Sequence, residues 1–203
     1  MGLERNLRVG YDLDGVLADF HKGFTEKLTE LYPEIQTWKH DEFPKYDYDE
    51  VYDPSRTNRV WSEIYSDISF YTDLSPISEL EMKEVSKIHK DTNIDTYFLT
   101  SRDHPQSVEH QTRMWLNEHG IKDANIYFTG LKDKYSFHLG LDMFIDDKPG
   151  HIDRIDTNTD TQSFCLSKKY NEEYREKTER DVFSTVQVVD SVHEFNELVK
   201  KYK

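Results

Sequence analysis

The feature that most constrains this chain is a short apolar run that ends in two closely spaced carboxylates. Residues 7–19 read LRVGYDLDGVLAD, which predicts a buried strand followed by Asp12, Asp14 and Gly15. Alternate residues of a strand point to the same face, and the glycine favours a turn directly after the second acid. The pattern therefore places both carboxylates at the carboxyl end of a strand, where open α/β sheets bind their ligands.

Two carboxylates as close as Asp12 and Asp14 repel each other unless a cation neutralises them or one of them holds a proton. Hard oxygen ligands suit Mg²⁺, and a protonated carboxyl beside an ionised one suits a nucleophile that works with a general acid. The alternative is a solvated acidic turn, because aspartate is common in turns. The later parts of the sequence have to decide between these interpretations.

The rest of the chain alternates apolar strands with amphipathic helices. Further strands are predicted at 96–99, 125–128, 143–145, 163–166 and 186–189. Helices are predicted from Phe20, after Pro76, from Gln106 to His119, and after Asp190 or Ser191. Ser78 and Glu81 have the spacing of a capping box, and the apolar face of that second helix is expected to consist of Ile77, Leu80, Val85 and Ile88. This alternation predicts an α/β fold with a parallel sheet that is covered by helices on both faces.

Residues 34–74 differ from the rest, because they are rich in aromatic and acidic residues and lack a long regular periodicity. They are expected to form a small, mostly helical insertion. Its rings form either a satellite core or a surface that faces a planar ligand. The rings considered for the second role are those of Trp38, Phe43, Tyr65, Phe70 and Tyr71.

Polar side chains follow the later strands as well. Thr100, Ser101 and Arg102 end one strand, and a hydroxyl pair at such a position either binds phosphate or forms a simple turn. A second acidic pair, Asp146 and Asp147, ends the strand at 143–145. Because the carboxyl ends of parallel strands meet at one edge, these groups are expected to lie near Asp12 and Asp14.

Charge and composition exclude several classes of function. The net charge of −14 argues against binding a long nucleic acid, which needs clustered Lys and Arg residues. Cys165 is the single cysteine, so no disulfide within one chain is expected, and a reducing compartment fits. Without a signal peptide or an apolar span, we expect a cytoplasmic protein with no membrane partner. The nine histidines lack zinc-site spacing and are expected on the surface or in loops.

The order of Asp-x-Asp-Gly-Val, a strand ending in Thr-Ser, a lysine and Ile-Asp-Asp resembles the four motifs of the haloacid dehalogenase (HAD) superfamily. Several stretches are similar to the 5′(3′)-deoxyribonucleotidases of that superfamily: DLDGVLADF at 12–20, FYTDLSPI at 70–77, YFLTSR at 97–102, DK at 133–134 and FIDDK at 144–148. The resemblance implies a three-layer Rossmann-like core in residues 1–20 and 95–203. A helical cap would be inserted after the first strand, in residues 21–94.

The resemblance also implies the chemistry, which is Mg²⁺-dependent hydrolysis of (deoxy)nucleoside monophosphates through an aspartyl-phosphate. Asp12 would be the nucleophile, and Asp14 would be the general acid for the leaving oxygen and then the base for water. The other implied roles are phosphate binding by Thr100, Ser101, Arg102 and Lys134, metal binding by Asp12, the carbonyl of Asp14, Asp146 and Asp147, and substrate contact by Phe20, Phe43 and Tyr65. The family resemblance is compatible with a homodimer.

Two departures from the family pattern leave the substrate open. Arg102 stands where the family usually has proline, and Thr112 stands where it tends to have lysine. Arg102 would either replace the missing positive charge or recognise a different leaving group. Two alternatives to a mononucleotide phosphatase therefore stay open. One is a HAD phosphatase for another substrate, such as a 3′-phosphorylated polynucleotide end, and the other is a catalytically silent phosphate-binding HAD module.

Overall fold

The computed structural model describes residues 5–102, 105–181 and 184–202. At its centre lies a sheet of six parallel strands in the order β3-β2-β1-β4-β5-β6. The strands are β1 (Leu7–Tyr11), β2 (Ile94–Thr100), β3 (Asn125–Phe128), β4 (Met143–Asp146), β5 (Gln162–Leu166) and β6 (Gln187–Val189). All six lie where the sequence predicted strands, and the predicted α/β fold with a parallel sheet is confirmed.

The position of β1 in the middle of the sheet determines where a ligand can bind. It pairs with β2 on one side and with β4 on the other, so that Val9 lies opposite both Thr96 and Met143. Successive strands run outwards from β1 in one direction, and the chain then returns to the other side at β4. Such a switch point leaves a crevice beyond the carboxyl ends of the two central strands.

Helices connect the strands and cover the sheet. They are α1 (Phe20–Leu31), α2 (Pro54–Ser66), α3 (Glu79–His89), α4 (Gln106–Glu118), α5 (Lys132–Leu139), α6 (Pro149–Asn158), α7 (Glu172–Arg180) and α8 (Val192–Lys201). Short 3-10 turns occur at His40–Glu42, Tyr48–Glu50 and Lys169–Asn171. None of the described helices combines the length and the apolar composition that a bilayer-spanning helix needs.

The alternation of side chains along the strands separates two hydrophobic cores. Phe98 belongs to a core that includes residues of α3, α4 and α8, whereas its neighbour Leu99 belongs to a second core with residues of α6 and α7. Ile145 and Phe144 of β4 are divided between the two cores in the same way. This is the pattern expected of a sheet that is buried on both faces.

The beginning of α3 confirms one prediction and corrects another. The side chain of Ser78 accepts a hydrogen bond from the Glu81 N–H at 3.3 Å, as the predicted helix start requires. Leu80 was wrongly placed on the apolar face, because its side chain is 75% exposed. Met82, which is 2% exposed, packs in its place, since two residues correspond to more than half a helical turn.

The segment between residues 20 and 75 leaves the sheet and returns at adjacent points. The Asp19 N–H donates to the Ser75 carbonyl at 2.9 Å, and the Ile77 N–H donates to the Leu17 carbonyl at 2.8 Å. Within the segment α1 packs against α2. By contrast α3, which we assigned to the cap, packs against β2 and α8. The division of the chain into a core and a cap stays a prediction.

Candidate functional site

Three carboxylates meet at the switch point of the sheet. Oxygen atoms of Asp12, Asp146 and Asp147 lie within 4.8 Å of one another, and all three residues are buried. The strand ends are held together by a hydrogen bond of 3.0 Å from the Asp12 N–H to the Ile145 carbonyl. Gly15 has a left-handed φ of +85°, and a Cβ at this position would overlap the Asp147 carboxylate. The expected proximity of the first acid to the second acidic pair is therefore confirmed.

A buried lysine neutralises part of this cluster. The Nζ atom of Lys132 lies 2.8 Å from Oδ2 of Asp12 and 2.8 Å from Oδ2 of Asp146, and the lysine side chain is 1% exposed. The sequence comparison placed Lys134 here, but Lys134 lies exposed on α5. The resemblance assigned the role to Lys134 through the Asp-Lys pair at 133–134, and no helix was predicted for this stretch. It is a helix, and residues two positions apart on a helix face different ways.

The close carboxylates differ in how they hold protons. Burial and the charges of Asp146 and Asp147 raise the pKa of Asp12 well above its usual value, although Lys132 acts in the opposite direction. Burial and the charge of Asp146 raise the pKa of Asp147 to about 6. Burial would also raise the pKa of Asp146, but Lys132 and His151 hold it below the usual range. The repulsion between the carboxylates therefore raises the pKa of Asp12 and of Asp147, but not that of Asp146.

The two acids of the second pair have different partners. Asp146 accepts hydrogen bonds from Lys132, from the Lys148 N–H at 2.8 Å and from the His151 ring at 2.9 Å. Asp147 accepts a hydrogen bond from the Tyr170 hydroxyl, while the Asn171 amide donates to its backbone carbonyl at 2.7 Å. His151 is 6% exposed, which contradicts our expectation that the histidines lie on the surface or in loops.

Asp14 stands apart from the carboxylate cluster and pairs with Arg102. Nε and Nη2 of Arg102 donate to the two Asp14 oxygens at 2.9 and 2.7 Å, and Nη1 donates to the Thr112 hydroxyl at 2.9 Å. The guanidinium also lies over the Tyr71 ring, 4.5 Å from its centroid. Burial would lower the pKa of Arg102, but the charge of Asp14 and its hydrogen bonds raise it. The two residues that depart from the family pattern are therefore in direct contact.

The hydroxyl pair at the end of β2 is divided between the interior and the cavity. Thr100 is fully buried, and its hydroxyl accepts the Arg102 N–H at 3.3 Å. Ser101 lines the cavity, and its hydroxyl donates to the Thr129 carbonyl at 3.4 Å. Phosphate binding by either residue stays a prediction.

A cavity of about 320 Å³ opens above these groups. We call its charged side the floor, which consists of Asp12, Asp14, Arg102, Lys132 and Asp147. We call the rings from residues 20–75 the roof, which consists of Phe20, Phe43, Tyr46, Tyr48, Trp61, Tyr65 and Tyr71. His21, Asp47 and Tyr170 also line the cavity. A cavity of this size, lined by both charged groups and aromatic rings, is typical of a site for a small organic anion.

The roof includes each of the three cap residues that the resemblance implied, Phe20, Phe43 and Tyr65. Of the other rings considered, Tyr71 lines the cavity, whereas Trp38 and Phe70 pack in the core next to it. Sequence reasoning missed Tyr46, Tyr48 and Trp61, because no regular periodicity was recognised in residues 34–74, although Trp61 lies on the helix α2. In the sequence, only the high content of aromatic residues in this segment pointed to these three rings.

The roof is a network of stacked rings. Phe20 lies 5.5 Å from Trp61 and 6.3 Å from Tyr71 between ring centroids, and Trp61 lies 6.0 Å from Tyr65. Tyr46 contacts residues that follow β4 and β5, because its ring lies 4.3 Å from the Lys148 Nζ and 5.7 Å from the Tyr170 ring. Rings that are already stacked lose little conformational freedom when another ring packs against them.

The acidic cluster fits a divalent metal ion. Its ligand atoms are hard carboxylate oxygens from Asp12, Asp146 and Asp147 that already lie close together. A cation between them would relieve the repulsion that raises the pKa values of Asp12 and Asp147. The carboxylate of Asp14 is paired with Arg102, so that the backbone carbonyl is the group that Asp14 would offer to the metal ion.

The sheet order and the acidic switch point are those of the HAD fold. Similar solved structures include a HAD-like hydrolase, SP0104 from Streptococcus pneumoniae (TM-score 0.61, 12% identity, 98% of this chain and 99% of that chain). Others are a HAD family hydrolase from Deinococcus radiodurans with bound phosphate and sodium (TM-score 0.60, 11% identity, 98% and 97% covered) and magnesium-bound YfnB from Bacillus subtilis (TM-score 0.54, 14% identity, 97% and 100% covered).

At these identities the structures show the fold, and the family follows from the sequence model. The model described as "5' nucleotidase, deoxy (Pyrimidine), cytosolic type C protein" matches residues 5–200, and the chain belongs to this family. It is a phosphatase of the HAD superfamily. Comparison with curated protein sequences found no match.

Proposed function

We propose that this phosphatase hydrolyses (deoxy)nucleoside 5′-monophosphates with the help of Mg²⁺. The observation that carries the proposal is the lining of the cavity, which combines a charged floor that contains Lys132 and Arg102 with a roof of stacked rings. A nucleoside monophosphate has the same division, because its phosphate is doubly charged and its base is planar and neutral. The family name, which refers to deoxy pyrimidine nucleotides, supports this choice.

In the first half of the reaction Asp12 acts as the nucleophile. A carboxylate oxygen of Asp12 forms a bond to phosphorus while the bond from phosphorus to the sugar oxygen breaks. Asp14 supplies the proton that the sugar oxygen needs in order to leave as a hydroxyl group. Lys132, which already contacts Asp12, offsets the negative charge that develops on the phosphoryl oxygens.

In the second half Asp14 takes a proton from water, whose oxygen then bonds to phosphorus and releases Asp12. Asp12, Asp146, Asp147 and the backbone carbonyl of Asp14 would hold Mg²⁺. When bound, the ion would allow the phosphate dianion to approach a carboxylate that otherwise repels it. The rings above the floor would exclude bulk water and stack on the base, a contact that contributes about 1–3 kcal/mol per base.

Phosphate release from a panel of nucleoside monophosphates tests the proposal. We expect turnover with Mg²⁺ that is lost with EDTA, and much less release from a 3′-phosphorylated oligonucleotide. Asp12→Asn should reduce kcat by about 10⁴-fold or more, because the amide keeps the shape and removes the nucleophile. Asp160→Asn, an exposed acid before β5, is the matched control and should retain activity.

Three results would contradict the proposal. Activity of the Asp12→Asn variant near that of the wild type would exclude the aspartyl-phosphate mechanism. Preference for the oligonucleotide end would favour the alternative substrate. Tight nucleotide binding without any turnover would identify a silent binding module.

A further inference from the structure

The pair formed by Arg102 and Asp14 suggests a role for the arginine beyond its charge. Arg102 is held from three sides, by both oxygens of Asp14, by the hydroxyl of Thr112 on α4, and by the face of the Tyr71 ring. Its side chain is 1% exposed, so the guanidinium does not move through solvent. Arg102 and Asp14 both line the cavity, so the fork that the guanidinium forms on the carboxylate is part of the floor.

The fork determines which way the Asp14 carboxylate faces. A carboxylate has two oxygens with about four lone pairs, and the fork uses one lone pair on each oxygen. The Asp14 side chain is 25% exposed and lines the cavity, so part of its carboxylate stays accessible from the cavity. Without Arg102 this partly exposed side chain could rotate, because none of its other described hydrogen bonds fixes it.

A lysine could not replace Arg102 in this arrangement. A guanidinium is planar and presents parallel N–H donors, whereas an ammonium is a point charge on a flexible chain. Tyr71 and Thr112 fix the plane of the guanidinium, and this plane in turn fixes the plane of the carboxylate. This arrangement therefore fixes the orientation of the Asp14 carboxylate. A positive charge alone would not need such a geometry.

We propose that Arg102 is a positioning residue that aims Asp14 at the oxygen that leaves. The inference rests on the proposed function, in which Asp14 transfers a proton to that oxygen as the bond from phosphorus to oxygen breaks and the bond from Asp12 to phosphorus forms. If Asp14 is misdirected, hydrolysis slows most for esters whose alcohol is a poor leaving group. An aryl phosphate needs little help from an acid, because its phenolate is stable without the proton.

The test compares two substrates, a nucleoside 5′-monophosphate and p-nitrophenyl phosphate. Arg102→Lys keeps the positive charge but removes the paired N–H donors that hold both Asp14 oxygens. We expect kcat for the nucleotide to fall about 10²-fold, the lower end of typical general acid contributions. The loss for the aryl ester should stay below about fivefold, and the KM for the nucleotide should change by less than about threefold, because the phosphate keeps its other partners.

A double variant separates positioning from direct action on the phosphate. If Arg102 acts through Asp14, then Arg102→Lys should cause no further loss in an Asp14→Asn background. Thr112→Val is a milder change with nearly the same shape, and it removes one support of the fork. It should reduce the nucleotide to aryl ester ratio by about two- to fivefold, in line with the loss of one hydrogen bond of about 1 kcal/mol. If Arg102→Lys does not fold, which a thermal melt would show, the Thr112→Val variant provides the test instead.

Equal losses on the two substrates would overturn the inference, because they would mean that Arg102 acts on the phosphate itself. Additive losses in the double variant would do the same. These results are distinct from failure of the proposed function, which would appear in the wild-type enzyme as turnover of the aryl ester without turnover of any nucleotide. In that case an alkyl phosphate such as glycerol phosphate replaces the nucleotide and gives the same ratio.

Discussion

The floor of the cavity consists of charged side chains that hold one another in place, whereas the roof consists of rings that hold one another by stacking. Lys132 bridges two aspartates, and Arg102 grips both oxygens of a third. In the roof Phe20 and Trp61 contact each other and further rings. Charge–charge contacts depend on exact geometry, but stacking tolerates different ring shapes.

This difference indicates that the floor and the roof have separate roles in the site. The floor follows directly from strand ends whose register is fixed by the sheet. The roof comes from α1, α2 and the segments beside them, outside the sheet, and of its rings Tyr71 also supports the floor by packing on Arg102. We therefore expect changes in the floor to act mainly on kcat, and changes in roof rings other than Tyr71 to act mainly on KM for substrates that carry a base.

The largest expected effect tests the floor. Lys132→Met should reduce kcat by about 10²–10³-fold for every phosphomonoester, because the cation that faces the developing charge is lost. Lys134→Met, an exposed residue two positions away, is the matched control and should change kcat by less than twofold. Steady-state kinetics and a thermal melt of both variants decide the matter. Equal loss in the two variants would show that α5 presents the other lysine in solution.

A smaller effect is expected in the roof. Trp61→Leu keeps an apolar side chain but removes a ring that lines the cavity, so KM for a nucleotide should rise about tenfold, as the loss of one stacking contact predicts. Trp38→Leu is the control in the same segment, because Trp38 packs outside the cavity. With glycerol phosphate, which has no ring, both variants should behave alike. A fall in kcat with all substrates would break the division between floor and roof.

The smallest effect concerns pH and the metal ion. Because the pKa of Asp147 is raised to about 6, the folded protein binds more protons than the unfolded chain between the usual carboxyl pKa and that value. Asp147 therefore makes the metal-free protein less stable as pH rises through this window, and Mg²⁺ should compensate above it. The gain in Tm on adding Mg²⁺ should be greater at pH 7 than at pH 5 by about 2–4 °C, the shift that ~1 kcal/mol causes in a chain of this size.

Asp147→Asn provides the control for this measurement, since it removes the titrating group. The variant should show a Tm gain that depends much less on pH. An equal gain at both pH values in the wild-type protein would mean that Asp147 does not control binding of the ion.

The sequence predicted the sheet well because buried strands appear in it as short apolar runs. The run before Asp12 and the run before Asp146 are both apolar, and each was placed correctly together with its acid. By contrast α7 reads EEYREKTER and buries only Tyr174 among its residues, so it has no apolar stripe by which a helix could be recognised. The helix α5 was missed for the same reason, and its omission led to the exchange of Lys132 for Lys134.

The contacts of the site were harder to predict than its members. Arg102 was noted as a departure from the family pattern, but nothing in the order of residues indicated that its partner would be Asp14. The two residues are far apart in sequence, and only the pairing of β1 with β2 brings them together. His151 was dismissed with the other histidines, because its contact with Asp146 requires the turn of the chain into α6.

The direct pairing of β1 with β4 also has a consequence for biosynthesis. A growing chain that has emerged only as far as α4 carries Asp12 and Asp14 but lacks Lys132 and the second acidic pair, so its first acids stay hydrated and separate. The mutual repulsion of the carboxylates arises only when β4 docks beside β1, in a late step that closes a long loop. The acidic cluster therefore cannot form before β4 and Asp147 have been synthesised, and ions in the surrounding solution can take part in its assembly.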